Sequence, residues 1–285
     1  MKSKIVAMCT ALGLTLTGAA FSTQAAVISL TNSDGTFSPF GGFDWASNGT
    51  AVVTGFDATN FGTQTITLEF FASAVSVTQP GGSLLVAPSI GILSGNYEYT
   101  IHASIQEQAT CTANNGSICT SLDFSMAAGA DPNYFRIFYD TGVNANQVAG
   151  TGFTDGTLII EGQFNTPQDA GTFTVTTDGL GNVIGGTGSN SLLGIVTFTN
   201  NTFVNPNLLG TNFGSQINLG RNVTEWLAPT GTPLGGVDCG AAGVLCMQGD
   251  GNQSFTAAQI PEPGVLALLG LGLLGMVGVS SRRKS

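Results

Sequence analysis

The sequence predicts an all-β protein with a β-sandwich or jelly-roll-like body, and three observations carry that prediction. From Tyr97 to Gln106 the chain alternates: Tyr97, Tyr99, Ile101, Ala103 and Ile105 fall on one face, and Glu98, Thr100, His102, Ser104 and Gln106 on the other. That is the period of a half-buried strand. Turn pairs punctuate the chain at Asp34-Gly35, Asn48-Gly49, Asp155-Gly156, Asp178-Gly179 and Asp250-Gly251. Between residues 26 and 260 no segment sustains a capped amphipathic helical pattern. Many strands broken by turns bury their inner faces best as two packed sheets.

The elements follow in order. Residues 1–25 read as a signal peptide: Lys2 and Lys4 precede an apolar stretch from Ile5 to Ala20. Ala25 and Ala26 offer small-residue cleavage positions, and Ala25 is preferred because it leaves Thr23, not Gln24, at −3. Residues 26–228 form the expected body. Its strands are expected at Thr50–Thr54, Thr65–Val77, Tyr97–Ile105, Ser121–Met126, Tyr134–Tyr139, Thr157–Phe164, Gly171–Thr176 and Leu193–Thr199. Residues 229–260 read as a Gly/Pro-rich linker holding one cysteine pair, with Gln248 to Gln259 as a flexible polar spacer. Residues 261–285 stand apart. Pro261, Glu262 and Pro263 lead into an uncharged run from Gly264 to Val279, and Arg282, Arg283 and Lys284 follow. The run approaches the ~17-residue minimum for a membrane helix, and the basic residues form a cytoplasmic stop. Basic flanks at both ends share one side of the membrane only if the body has crossed it.

The charge of that body bounds its partners. It keeps Arg136, Arg221 and no lysine against sixteen acids, a formal charge of −14. Nucleic acid is excluded as a partner, because phosphate binding needs a cationic surface. Adhesion to anionic lipid is disfavoured for the same reason. Polarity comes instead from Thr, Ser, Asn and Gln, which suit neutral hydrogen bonding, including to sugars.

Four cysteines remain after signal removal: Cys111, Cys119, Cys239 and Cys246. In an exported chain an even number reads as disulfides, with three possible connectivities. The local pairs Cys111–Cys119 and Cys239–Cys246 are favoured; Asn115-Gly116 supplies a tight turn inside the first. Zinc is the alternative, but there is no CxxC and no nearby histidine.

The tail resembles the PEP-CTERM sorting signal in its Pro-Glu-Pro motif, its apolar span and its basic end. The resemblance implies cleavage near Pro261–Pro263 by an exosortase-type transpeptidase, after signal peptidase has acted. It also implies a Gram-negative source that makes exopolysaccharide, a transient inner-membrane anchor and a destination at the cell surface or in the matrix. The phrases FSPFGGFDWASNGTAVVTGFD (Phe37–Asp57), TLEFFASAVSV (Thr67–Val77) and NYEYTIHASIQE (Asn96–Glu107) resemble flocculation-associated PEP-CTERM proteins. That narrower likeness implies a matrix component that joins cells and polysaccharide.

Catalytic motifs are sparse. His102 is the only histidine, is expected on the solvent face of its strand, and has no G-x-S-x-G elbow to serve. A glycosidase needs two carboxylates; the body glutamates are Glu69, Glu98, Glu107, Glu161 and Glu225, each read first as a surface charge. Gly270, Gly272 and Gly275 match GxGxxG but lie in the apolar run, where no βαβ unit surrounds them. No cofactor is expected. Calcium is the favoured ion if any binds, through Asp44 to Gly49 and the Asp-Gly pairs, although Ala46 breaks the loop pattern. Trp45 and Trp226 are candidates for sugar stacking, against core packing as the favoured role. The resulting expectation is a non-enzymatic matrix protein that binds exopolysaccharide or itself. The alternatives are a dedicated carbohydrate-binding protein and a secreted glycan-active enzyme.

Overall fold

A computed structural model describes residues 26–45, 49–82, 96–147, 149–165, 170–177, 180, 183–220, 233–234, 237–238 and 241–256. Its strands are β1 (Ser29–Asn32), β2 (Gly35–Phe37), β3 (Gly42–Trp45), β4 (Gly49–Thr54), β5 (Thr63–Thr78), β6 (Glu98–Asn114), β7 (Cys119–Met126) and β8 (Asn133–Asp140). They continue with β9 (Thr157–Phe164), β10 (Ala170–Thr177), β11 (Val183–Thr199), β12 (Val204–Asn205), β13 (Asn212–Leu219), β14 (Pro233–Leu234), β15 (Val237–Asp238) and β16 (Val244–Phe255). The body is all-β, as the alternation predicts, and every expected strand falls on an observed one. Among the described residues no helix is long and apolar enough to cross a membrane. The expected span lies outside them.

The large sheet is antiparallel and closes on itself. β6 pairs with β5 on one side and with β7 and β8, end to end, on the other. Those two continue into β10 and β9, which both pair with β11. β11 leads through β13 to β16. β3 and β4 then share one position between β16 and β5. The two sheets expected of a sandwich are thus joined along both edges, which among the described residues leaves no long edge unpaired. A separate small sheet, in the order β12-β1-β2, places Leu30 and Val204 in the same core.

Aromatic rings dominate that core. Phe40, Phe43, Trp45, Phe70, Tyr97, Tyr99, Phe135 and Phe213 are all fully buried. Glycine makes room for them. A Cβ on Gly249 would stand 2.7 Å from the Phe70 ring and one on Gly251 would stand 3.0 Å from it, so the ring lies directly on the β16 backbone. Trp45, only 1 % exposed, stacks on Phe43 with ring centroids 5.1 Å apart. Its indole has no face left for a sugar, so sugar stacking by Trp45 is overturned. Trp226 lies outside the described residues.

Two further expectations are corrected. The boundary after residue 228 and the polar spacer from Gln248 do not hold, because β16 is an interior strand hydrogen-bonded to β13, β3 and β4. Its Gln248, Asp250 and Gln253 are buried, and Asp250-Gly251 lies in the ladder instead of forming a turn. Glycine and glutamine looked like a linker because the apolar partner, Phe70, is supplied by another strand. The expected polar face of β6 is also covered: Glu98, Thr100 and Ser104 are buried on the outer side, and Glu107 on the inner.

The cysteine expectation holds where it is described. Cys111 and Cys119 are bridged with Cα atoms 5.9 Å apart. The Asn115 side-chain oxygen accepts from the N–H groups of Ser117 and Ile118 at 3.0 and 2.9 Å, and Gly116 takes a φ of +88°. Cys246 is also disulfide-bonded, and Cys239, its expected partner, lies outside the described residues.

Candidate functional site: an outer groove on four strands

Ladder register assembles charged and aromatic side chains on the outer face of β5, β6, β8 and β9. Phe71 sits opposite His102, His102 opposite Arg136, and Arg136 opposite Glu161, one row across four strands. The neighbouring row places Glu69 opposite Ser104, and Ser104 opposite Tyr134. Glu69, Phe71, His102, Tyr134 and Arg136, with Phe138 and Leu158, line an open groove bounded by Gly150 and Thr154 of the β8–β9 connection, and Glu161 adjoins it as the partner of Arg136.

His102 is not the solvent-facing residue the alternation suggests. Its ring lies parallel to Phe71, with centroids 4.5 Å apart and planes 3° off, and meets Tyr134 edge-on at 5.6 Å. Its Nε2 stands 3.6 Å from a Glu69 oxygen, and the Ser104 hydroxyl donates to the other Glu69 oxygen at 3.5 Å. Arg136 donates from Nε to Glu161 at 2.9 Å, and its guanidinium lies 4.3 Å from the Tyr134 ring centre. Burial first, then the Glu69 and Glu161 charges, push the Tyr134 hydroxyl above its ordinary range against the pull of Arg136, so at neutral pH it stays a donor.

The β8–β9 connection explains why the polar face of β6 is covered. One Glu98 oxygen accepts from the backbone N–H groups of Asn144 and Ala145, at 2.8 and 2.9 Å. The Thr100 hydroxyl donates to the Phe153 carbonyl at 2.9 Å, and Phe153 packs on Phe71 with centroids 5.7 Å apart. Burial raises the pKa of Glu98; the two N–H donors oppose that shift, and Asp140 and Asp155 add to it. Glu98 is therefore a structural latch, not a surface charge.

The groove offers a fixed cation, two carboxylates, a phenol, an imidazole and apolar ring faces, all on rigid strands. Such a set can hydrogen-bond the hydroxyls of a sugar while ring faces cover its C–H side. The glutamates first considered for acid–base work are dispersed. Glu98 is latched under the connection, whereas Glu107 points into the core and accepts from the Asn190 side chain. Glu225 lies outside the described residues. Sequence reasoning missed the groove because its members lie far apart in the chain and only register joins them. A usable signal was the scarcity of cationic side chains, one of which, Arg136, shares this row with the sole histidine.

Asp44 is opposite Asn252 and its pKa is raised by burial and then by the nearby Asp250 charge. Residues 46–48 lie outside the described set, and among the described residues no three His, Cys, Asp or Glu side chains group to hold a metal.

The fold defines an all-β body with a local disulfide, and comparison with known families adds that it is exported. Residues 259–284 match the PEP-CTERM protein-sorting motif. The chain carries the mark of an exosortase substrate: an exported protein held by a transient membrane anchor before it reaches the surface or the exterior. No curated protein and no solved structure gives a significant match. Pro261, Glu262, Pro263, Arg282, Arg283 and Lys284 lie within this match but outside the described residues. Ala25 also lies outside the described residues, and Ala26 opens the described body.

Proposed function

We propose that this is a non-enzymatic structural protein of the extracellular matrix, which associates with exopolysaccharide or with its own copies and supports aggregation, flocculation or biofilm. The observation that carries the reading is the sorting motif at residues 259–284 joined to a closed, disulfide-stapled β-body with almost no cationic surface. Such a body resists unfolding outside the cell and repels nucleic acid, and it needs only a surface able to meet sugars or itself. Signal peptidase and an exosortase-type enzyme deliver it from a Gram-negative cell. Deletion of the coding sequence tests the role: aggregation is lost while polysaccharide is still secreted, and added purified body restores it. Normal settling by the deletion strain would reject the matrix role.

The second reading is a dedicated carbohydrate-binding protein. The outer groove of Tyr134, Arg136, Glu69 and Glu161 favours it and replaces Trp45 as the place of contact. An acidic groove on an acidic body suits a neutral glycan better than a polyanionic one. Retention of the purified body on neutral polysaccharide, lost in Arg136→Ala, would promote this reading over a purely structural one.

A further inference from the structure

Both ends of the folded body leave from one rim. The Ile28 carbonyl accepts from the Phe40 N–H at 2.7 Å, and the Phe255 N–H donates to the adjacent Gly41 carbonyl at 2.7 Å. The start and the finish of the body therefore flank a single dipeptide, Phe40-Gly41. Thr256 is tied to the same rim, its N–H and its hydroxyl both donating to the Asn212 carbonyl. Because β16 is an interior strand, the folded body reaches to residue 256, and from Thr256 to Pro261 the chain takes five Cα–Cα steps, at most about 18 Å.

The rim also differs in chemistry from the rest of the body. The segments that build it, 26–30, 38–43, 78–82, 206–212 and 255–256, contain no charged residue, in a body with sixteen acids. Two of the most exposed large apolar side chains among the described residues, Val27 (57 %) and Leu209 (62 %), lie on these segments. β1 pairs Ser29 with Asn205, which brings the neighbourhoods of these two side chains together.

We infer that this uncharged rim is the surface the body presents to the enzyme that cuts the tail where the apolar run enters the membrane, and that the enzyme acts on the folded body. A tether of at most about 18 Å keeps the rim within that distance of the cut site, so an enzyme acting at Pro261–Pro263 works beside the folded rim. Unfolding β16 to lengthen it would remove an interior strand and expose the Phe70 ring. Absence of charge lets an acidic body approach the membrane surface without the repulsion its other faces would meet. The inference rests on processing at the motif and is independent of the matrix role.

The test uses the full precursor in a strain that processes it, with the ratio of precursor to mature form as the readout. Leu209→Glu places a charge on the rim at an exposed position, so the purified body should keep its unfolding midpoint. It is expected to accumulate uncut and membrane-held, and a ten-residue Gly-Ser insertion after Thr256 should restore the mature form. Thr59→Glu, an exposed substitution at the far end of the body, should be cut normally. Processing of Leu209→Glu at the wild-type rate would overturn the inference, as would failure of the insertion to rescue it. Pro261→Ala with Glu262→Ala separates the two ideas: if that variant is also cut normally, the sorting reading itself fails. If it is blocked while Leu209→Glu is not, only the rim assignment falls.

Discussion

Arg136 and Glu161 face each other across the β8–β9 ladder, with Nε donating to Oε1 at 2.9 Å. The pair is part-exposed, and such pairs contribute about 0–1 kcal/mol to stability. Glu161→Gln should therefore leave the denaturant midpoint close to wild type. If the groove meets saccharide, the same substitution should weaken retention on secreted polysaccharide, because the partner that orients the guanidinium loses its charge. A fall in stability of several kcal/mol would instead make the pair structural.

Glu98 gives a pH prediction whose sign can be worked out. Its folded pKa is raised above its unfolded value. Between the two values the folded protein holds the extra proton, so this group's favourable contribution is present below the unfolded pKa and lost as pH rises through the folded one. Glu98→Gln keeps an oxygen for the Asn144 and Ala145 N–H groups and removes the buried charge. It should flatten that dependence at little cost near neutral pH. Glu98→Ala leaves both donors without their acceptor and should cost about 1–3 kcal/mol. Unfolding curves of the three proteins across the acid range check the order.

The bridge between Cys111 and Cys119 closes a short loop, and its loss in a Cys111→Ala, Cys119→Ala variant should cost roughly 2–3 kcal/mol through the unfolded state. For a body of this size that lowers Tm by about 4–12 °C. Peptide mapping without reduction should recover Cys111 joined to Cys119 and Cys246 joined to Cys239. Crossed pairs would contradict the local pairing, and a Tm unchanged on removal of the first bridge would show that the hairpin is held by its Asn115 turn alone.

The fold was legible where side chains alternate. Thr65–Val77 and Tyr97–Ile105 announce β5 and β6 because their own apolar residues form the inner face. β16 was illegible because Gly249, Gly251 and Gln253 carry no apolar signal; the ring that covers the two glycines belongs to Phe70 on β5. Asp250-Gly251 reads as a turn locally and is overridden by its pairing with Asn218 and Ile217 of β13. The groove was hidden for a related reason: β6 shows which face His102 occupies, but not that Phe71, Arg136 and Glu161 stand beside it. The C-terminal sorting motif was legible, since a motif, an apolar run and a basic flank are properties of the chain and not of its contacts.

The contact between Phe70 and the β16 backbone makes the last prediction. A linker would tolerate a methyl group at residue 249, whereas an interior strand with a ring against it would not. A Cβ there meets Phe70 Cε2 at 2.7 Å and Cδ2 at 3.1 Å, so the ring must move within a packed aromatic core. Gly249→Ala should therefore destabilise by about 1–3 kcal/mol, the usual cost of overpacking. The contact also predicts coupling. In a Phe70→Leu background the smaller side chain relieves the clash, and Gly249→Ala should cost less than it does alone. Denaturant unfolding of the two single variants and the double variant supplies the cycle. Strict additivity would remove Phe70 as the reason for glycine at 249, and a neutral Gly249→Ala would return residues 248–255 to the role of a spacer.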